Sequence, residues 1–195
     1  MDAPTRRPWI LAAFFILAGL IGWWAAFQLT VEKIHLLENP AAELGCDFSI
    51  LVQCGANLSS WQGSVFGFPN PLLGLGGFAA PIAVGVALLA GARFDRWFWI
   101  AFHVGVTGAL AFVIWLISQS IFALFTLCPW CMVVWSVTIP LWWSLTFRNL
   151  AEGVYGSAPR RFGTAMRSWV VPITIASYAI VAIIAQVRLD VIAYL

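Results

Sequence analysis

The longest stretch without a charged residue runs from Trp97 to Phe147, WFWIAFHVGVTGALAFVIWLISQSIFALFTLCPWCMVVWSVTIPLWWSLTF. A single helix of these 51 residues would extend about 76 Å, at about 1.5 Å per residue. Because the hydrocarbon layer of a bilayer is only about 30 Å thick, the stretch must turn back on itself. Pro129 suits the first turn of a new helix, so we expect a hairpin of two spans, residues 97–125 and 129–147.

The composition of the whole chain also indicates a membrane protein. Of its 195 residues, 62% are hydrophobic and 9% are charged, whereas about a quarter of a soluble domain is charged. These values exclude a soluble globule, and a net charge of +2 provides no basic face for nucleic acid. The twelve Trp suit the headgroup level of a bilayer, where indole rings accumulate. We therefore expect the lipid bilayer, and no nucleic acid, among the partners.

Three further spans complete the prediction. Residues 9–30 carry no charge and exceed the apolar region of a signal peptide, so we interpret them as a retained first span. Residues 71–92 form the second span, and about 169–187 the fifth. We predict an all-α integral membrane protein, with a four-helix bundle in residues 1–148 and a linker plus fifth transmembrane helix in residues 149–195.

The basic residues predict the orientation, because short loops rich in Arg and Lys stay in the cytoplasm. Eight lie on one side of the predicted spans and two on the other, namely Arg6, Arg7, Arg93, Arg96, Arg148, Arg160, Arg161 and Arg167 against Lys33 and Arg188. We expect a multi-pass protein of the inner (cytoplasmic) membrane with a cytoplasmic N-terminus. Its C-terminus, the loop 31–70 and all four cysteines would then face the exterior or periplasm.

The exterior loop has two recognisable parts. Residues 31–38, VEKIHLLE, have apolar side chains at helical spacing among charges, which predicts that the first helix continues outward. Residues 48–69 carry no charge but hold several large apolar side chains. We expect this segment, called the lid below, to lie on the spans or on the membrane surface and to cover the bundle.

The four cysteines form two pairs, Cys46 with Cys54 in the exterior loop and Cys128 with Cys131 at the start of span four. Four cysteines allow three disulfide pairings. In C-x-x-C, one thiolate can attack a mixed disulfide while the second resolves it, which favours a redox pair over a structural staple. A helix start favours a thiolate, whereas apolar surroundings favour the thiol. Asp47, beside the first cysteine, is interpreted as a surface charge or a helix cap.

Other chemistries fit the cysteines less well. A c-type haem requires His after the second cysteine, where Met132 stands. A structural zinc site pairs two closely spaced elements, whereas seven residues separate the loop cysteines, so we predict no metal. The sequence shows no motif for a nicotinamide, flavin or haem, which favours a lipid-soluble quinone as electron acceptor, stacked near Trp130 and Trp135. Two alternatives to a redox protein that passes electrons from these cysteine pairs to a quinone are a DsbB-type disulfide generator of different topology and a non-enzymatic scaffold with stapled or metal-bound cysteines.

Taken together, these motifs resemble the vitamin K epoxide reductase (VKOR) family, particularly its bacterial members that oxidise thiol partners. The resemblance extends over about residues 9–148. It depends on order, spacing and sidedness of the following residues: Cys46-Asp47, Cys54, Ser59-Ser60, Phe66-Gly67-Phe68-Pro69-Asn70-Pro71 and Cys128-Pro129-Trp130-Cys131.

The resemblance implies a role for each cysteine. Cys46 and Cys54 exchange with the thiol partner, and Cys54 then pairs with Cys128. Cys131 faces the quinone and forms a charge-transfer or covalent adduct with it. Members of this kind often carry a fused thioredoxin-like domain; none follows Leu195, so we expect a separate exterior thioredoxin-like thiol oxidoreductase as partner.

The resemblance also implies a quinone site. Asn70 matches a family residue that hydrogen-bonds a quinone carbonyl, and Ser59 and Ser60 lie in a segment that shapes the pocket. We expect Phe68 of the same motif, Trp130 and Trp135 there as well. Trp135 replaces a Tyr of animal members and offers an N–H donor but no acceptor, which favours a plain quinone over an epoxide. The expected acceptor is menaquinone, ubiquinone or a vitamin K-like naphthoquinone from the membrane pool.

Overall fold

The computed structural model describes residues 9–41 and 43–194, and within this part the chain is largely helical. Five helical segments are long and apolar enough to cross a membrane: Trp9–Glu38, Pro71–Leu89, Arg96–Leu124, Pro129–Ala151 and Arg160–Leu189. These segments confirm the predicted all-α membrane protein. Arg6 and Arg7, which contribute to the predicted orientation, lie outside the described residues.

The helices are numbered in chain order: α1 (Trp9–Glu38), α2 (Gly55–Ser59), α3 (Pro71–Leu89), α4 (Arg96–Gln119), α5 (Pro129–Ala151), α6 (Arg160–Met166) and α7 (Val170–Leu189). Short 3-10 turns lie at Trp61–Ser64, Arg167–Trp169 and Val191–Tyr194. Helix α1 continues through residues 31–38, as their apolar spacing predicts. The predicted linker before the fifth span includes α6, and the second span ends at Leu89 rather than at residue 92.

The first and second spans approach each other most closely where their residues are small. A Cβ atom on Gly85 of α3 would lie 2.7 Å from the carbonyl oxygen of Ala12 on α1, so only glycine fits there. Helix α1 also packs against α5, and α5 against α4, around a core that includes Phe15 and Leu145. Glycine thus lets α1 and α3 meet along much of their length.

Helix α7 lies on the outside of this bundle. It packs against α5, where Trp143 Nε1 donates to Ser177 Oγ at 3.3 Å, and against the end of the third span. Many of its apolar side chains remain exposed, including Ile175, Ile180 and Ile183. This exposure is what a lipid-facing helix requires.

The turn between the third and fourth spans has an irregular backbone. Helix α4 continues past Gln119 as a π-helical turn, Ser120–Leu124, and Phe125 then adopts a left-handed conformation with φ 55°. Ser120 Oγ donates to the carbonyl oxygen of Thr126 at 2.5 Å and closes the turn. Helix α5 begins at Pro129, as predicted, with Cys128 as its N-cap residue.

Candidate functional site

The two segments that carry the cysteine pairs are joined by their backbones. Leu127 N–H donates to the carbonyl oxygen of Leu51 at 2.7 Å, and Gln53 N–H donates to that of Leu127 at 3.0 Å. These bonds form an isolated parallel β-bridge between Val52 and Leu127. Each bridged segment leads directly into a cysteine, so the start of α2 lies beside the start of α5.

This arrangement brings sulfur atoms from both pairs together. A disulfide joins Cys46 and Cys54, whereas Cys128 and Cys131 are free thiols. The Sγ atoms of Cys54 and Cys128 lie 3.5 Å apart, and the N–H of Cys131 donates to Cys128 Sγ at 3.3 Å. A disulfide bond is about 2.05 Å long, so the free thiol of Cys128 needs a shift of about 1.5 Å to reach Cys54.

Both partners of this contact are shielded from solvent. Cys46 is 2% exposed, and Cys54 and Cys128 are 0% exposed, while Cys131 is only partly buried. Reagents from water therefore reach the loop disulfide only after the surrounding loop opens. The structure thus favours exchange between the two pairs over exchange with a passing solute.

Asp47 holds the loop pair in place. Its Oδ1 atom accepts hydrogen bonds from the N–H groups of Cys54, at 2.7 Å, and Gly55, at 3.1 Å. These N–H groups belong to the start of α2 and have no partner within that helix. Of the two interpretations of Asp47, the structure supports the helix cap.

Further contacts hold the lid over the bundle. Lys33 Nζ, on the outward extension of α1, donates to the carbonyl oxygen of Leu58 at 2.7 Å. Asn57 Nδ2 donates to Thr126 Oγ1 at 2.9 Å, and Asn57 Oδ1 lies 3.3 Å from Ser120 Oγ, whose hydroxyl donates mainly to the carbonyl oxygen of Thr126. The lid is therefore bonded on one side to α1 and on the other to the turn that precedes Cys128.

Beneath the lid lies a cavity of about 630 Å³ between α1, α3, α4 and α5. Its wall is mostly apolar and, among the described residues, includes no charged side chain. Cys131 is part of this wall, as are four carboxamide side chains, those of Asn57, Gln62, Asn70 and Gln119. The volume falls within the range typical of sites for small organic molecules.

Of the six residues expected at the quinone, Asn70 and Trp135 line this cavity. Asn70 Nδ2 donates to the carbonyl oxygen of Gln62 at 2.6 Å, and its Oδ1 accepts from Val65 N–H at 3.1 Å. The side chain of Asn70 therefore also shapes the turn that leads into α3. Trp135 is buried, with 7% of its surface exposed.

The other four expected residues are not among those that line this cavity. The hydroxyl groups of Ser59 and Ser60 donate to the carbonyl oxygens of Gly55 and Asn57, within the lid itself. The ring of Phe68 is 41% exposed and packs on Phe66, which does line the cavity. Trp130 packs against the buried cysteine cluster. The spacing of the sequence motifs indicates that the lid contributes to the site, whereas the path of the lid backbone decides which of its side chains face the cavity.

Sequence reasoning missed the carboxamides of Asn57, Gln62 and Gln119 as wall residues. A signal was present, because polar side chains are costly within uncharged, membrane-embedded stretches and tend to serve a site there. Gln119 lies in the uncharged stretch 97–147, within the predicted span 97–125.

While Cys46 and Cys54 form a disulfide, the loop pair offers no thiolate that could bind zinc. Suitable ligand atoms of Cys46, Asp47 and Cys54 lie within 4.8 Å of one another. However, the two sulfur atoms are bonded to each other, and zinc requires thiolates. A metal at this position would need the disulfide to be reduced first.

Comparison with known proteins agrees with this geometry. The sequence model of the Vitamin K epoxide reductase family matches residues 13–146, which is more than half of the chain. The match includes all four cysteines and every carboxamide of the cavity wall. A search of curated proteins finds no match for the chain.

Proposed function

The chain belongs to the vitamin K epoxide reductase family, and we propose that it oxidises an exterior thioredoxin-like dithiol and reduces a membrane quinone. Membership makes the protein a membrane thiol–disulfide oxidoreductase that works through cysteines. The quinone, the thiol partner and the path of the electrons are the proposed parts.

The proposed path has three balanced exchanges. The partner dithiol reduces the Cys46–Cys54 disulfide, so that the partner becomes a disulfide and two loop thiols form. The loop dithiol then reduces a Cys128–Cys131 disulfide through a Cys54–Cys128 intermediate, which restores the loop disulfide. Finally the Cys128–Cys131 dithiol transfers two electrons and two protons to the quinone, which leaves as quinol while the Cys128–Cys131 disulfide re-forms.

The observation that carries this proposal is the 3.5 Å separation between the sulfur atoms of Cys54 and Cys128. A structural staple has no need for a free thiol next to a disulfide, whereas exchange requires that contact. The joined loop pair and the two free helix thiols match the covalent state that this path requires before the proposed quinone step.

The cavity supports a quinone as the acceptor. Cys131 lies in its wall, so an oxidant bound there would be next to the last cysteine of the path. An apolar wall with a few amide groups suits an apolar ring that carries two oxygen atoms. Of the residues expected at the quinone, we propose Asn70 and Trp135 as those nearest the ring and assign no such contact to Ser59, Ser60, Phe68 or Trp130.

Orientation and domain roles complete the proposal. We assign the cysteines and the C-terminus to the exterior because the eight-to-two division of basic residues favours a cytoplasmic N-terminus. Residues 1–148 form the catalytic bundle and residues 149–195 the linker and fifth span. The membrane is the inner (cytoplasmic) membrane, and a separate exterior protein brings the thiols.

The test is quinone reduction by purified protein supplied with a reduced thioredoxin-like protein. We expect wild type to form quinol and Cys131→Ala to form none, while its loop disulfide still exchanges with the partner. Met132→Ala changes the adjacent residue of the same helical turn and should retain both activities. Quinol formation by Cys131→Ala would contradict the proposed path.

The scaffold alternative predicts a different result in the same experiment. Alkylation followed by mass measurement counts free thiols before and after incubation with partner and quinone. A scaffold would keep the same count throughout, and a metal site would protect thiols only when metal is added. The proposed enzyme should instead lose two thiols when quinone is added and regain them when the reduced partner follows.

A further inference from the structure

One polar atom at the cavity is buried without a hydrogen-bond partner. Gln62 lies in the 3-10 turn of the lid, is 7% exposed and lines the cavity. Within the part of the chain that the structure describes, its Oε1 atom has no partner. A buried carbonyl oxygen without a hydrogen-bond partner is unfavourable, so its presence in the folded protein calls for an explanation.

The two asparagine amides at the cavity are engaged by the protein itself. Asn57 bonds Thr126 and Ser120, and both ends of the Asn70 amide bond the backbone of the lid. The amide of Gln62 has only one side-chain contact, from Nε2 to Gln119 Oε1 at 3.4 Å. This distance is long for an N–H···O bond, which makes the Gln62–Gln119 contact easy to exchange for another.

The chemistry of a carboxamide suits both forms of a quinone. A quinone oxygen only accepts hydrogen bonds, whereas a quinol hydroxyl also donates one. A glutamine offers an N–H donor for the first and a carbonyl acceptor for the second, and the indole of Trp135 offers only a donor. The terminal torsion of glutamine is broad and roughly two-fold, so a rotation presents either end of the amide to the cavity.

We propose that Gln62, supported by Gln119, binds the quinone ring by donating to a carbonyl oxygen before reduction and accepting from the quinol hydroxyl afterwards. This inference rests on the proposed quinone chemistry and names a binding residue that the sequence motifs did not indicate. A ligand hydroxyl supplies the partner that Gln62 Oε1 lacks. The lid then contributes directly to the ring site in addition to covering it.

The test compares two variants that each remove a buried oxygen without a partner. Gln62→Met removes the amide and keeps the length of the side chain. Thr174→Val, on α7 and outside the cavity wall, removes a second such oxygen, Thr174 Oγ1. Both variants are made in a Cys131→Ser background, so that binding is measured without turnover. The probes are 2-methyl-1,4-naphthoquinone and a short-chain ubiquinone, and the readout is quenching of Trp fluorescence.

We expect Gln62→Met to raise the Kd of both quinones about tenfold, because a hydrogen bond to the ring is lost and the ring oxygen is left unpaired. Thr174→Val should leave the Kd unchanged. With Cys131 restored, Gln62→Met should raise KM for quinone and leave the rate of exchange with the thiol partner unchanged. Neither variant should lower the melting temperature of quinone-free protein appreciably, because each removes an unpaired oxygen and Gln62→Met loses in addition only the long contact to Gln119.

The outcomes separate this inference from the function it rests on. If the parent protein binds and reduces quinone while Gln62→Met has the parent Kd, the inference is overturned and the function stands. If the parent protein neither binds nor reduces any quinone, the function itself fails. If Gln62→Met does not fold, Gln62→Leu, which also removes the amide, replaces it, and an unchanged Kd in that variant overturns the inference in the same way.

Discussion

The cap that Asp47 forms on α2 controls access to the loop disulfide. In Asp47→Ala, the N–H groups of Cys54 and Gly55 lose the carboxylate that accepts from them at 2.7 and 3.1 Å. Because Cys54 is fully buried, reduction by a small dithiol must proceed through an open state of the loop. The substitution should raise the population of that state and therefore the rate of reduction.

The size of the effect follows from the energetics of helix capping. Replacing a capping side chain by Ala costs about 0.5–2 kcal/mol, with a typical value of about 1 kcal/mol. If closing is faster than reduction, the rate scales with the open population and should rise about 2- to 30-fold, or about fivefold at the typical value. Asp47→Asn keeps an acceptor oxygen in the same place and should show a smaller increase.

The assay follows reduction of the Cys46–Cys54 disulfide by dithiothreitol, with alkylation and mass measurement at timed points. A background with serine at Cys128 and Cys131 restricts the reaction to the loop pair. Glu43→Ala is the matched control, because Glu43 is an exposed acid of the same loop and its removal changes the net charge equally. Equal rates in Asp47→Ala and the control would refute the capping argument, since charge alone would then explain any change.

The remaining predictions concern helix packing and the sulfur contact. Gly85→Ala should lower the free energy of unfolding by about 1–3 kcal/mol, because its methyl group meets a carbonyl oxygen of α1 at 2.7 Å. Gly76→Ala, on the same helix but facing open space, should be neutral or stabilising by up to about 1 kcal/mol, and thermal unfolding in detergent compares the two. Cys46→Ser frees Cys54, whose sulfur lies 3.5 Å from that of Cys128, so mild oxidation with diamide should yield a Cys54–Cys128 disulfide in peptide mapping. A Cys128–Cys131 disulfide as the main product would contradict this.

The membrane spans could be predicted from the sequence because their determinants are local. A run of about 20 predominantly apolar residues without charge predicts a membrane span, and α5 begins where Pro129 predicts it. The outward continuation of α1 through residues 31–38 follows in the same way from apolar spacing alone. The π-helical turn Ser120–Leu124 could not be predicted, because it depends on bonds that Ser120 and Thr126 make after the chain reverses.

From the sequence alone, the four cysteines and their division into two pairs could be predicted, but not which sulfur atoms of the two pairs meet. The spacing marks two pairs, and three pairings remain open until distant segments meet. The β-bridge between Val52 and Leu127 decides that Cys54, rather than Cys46, lies beside Cys128. Nothing local to either segment encodes that bridge.

In the lid, too, some features can be predicted from the sequence and others depend on tertiary contacts. The composition of residues 48–69, uncharged and with several large apolar side chains, predicts a segment suited to covering the bundle. Which of its side chains line the cavity, as Gln62 and Phe66 do and Ser59, Ser60 and Phe68 do not, depends on tertiary contacts. The physical reason is that the lid has no long regular helix, so no fixed periodicity relates position in the sequence to the direction of a side chain. Its path is set instead by bonds to α1 and to the turn before Cys128, and these exist only once the bundle has formed.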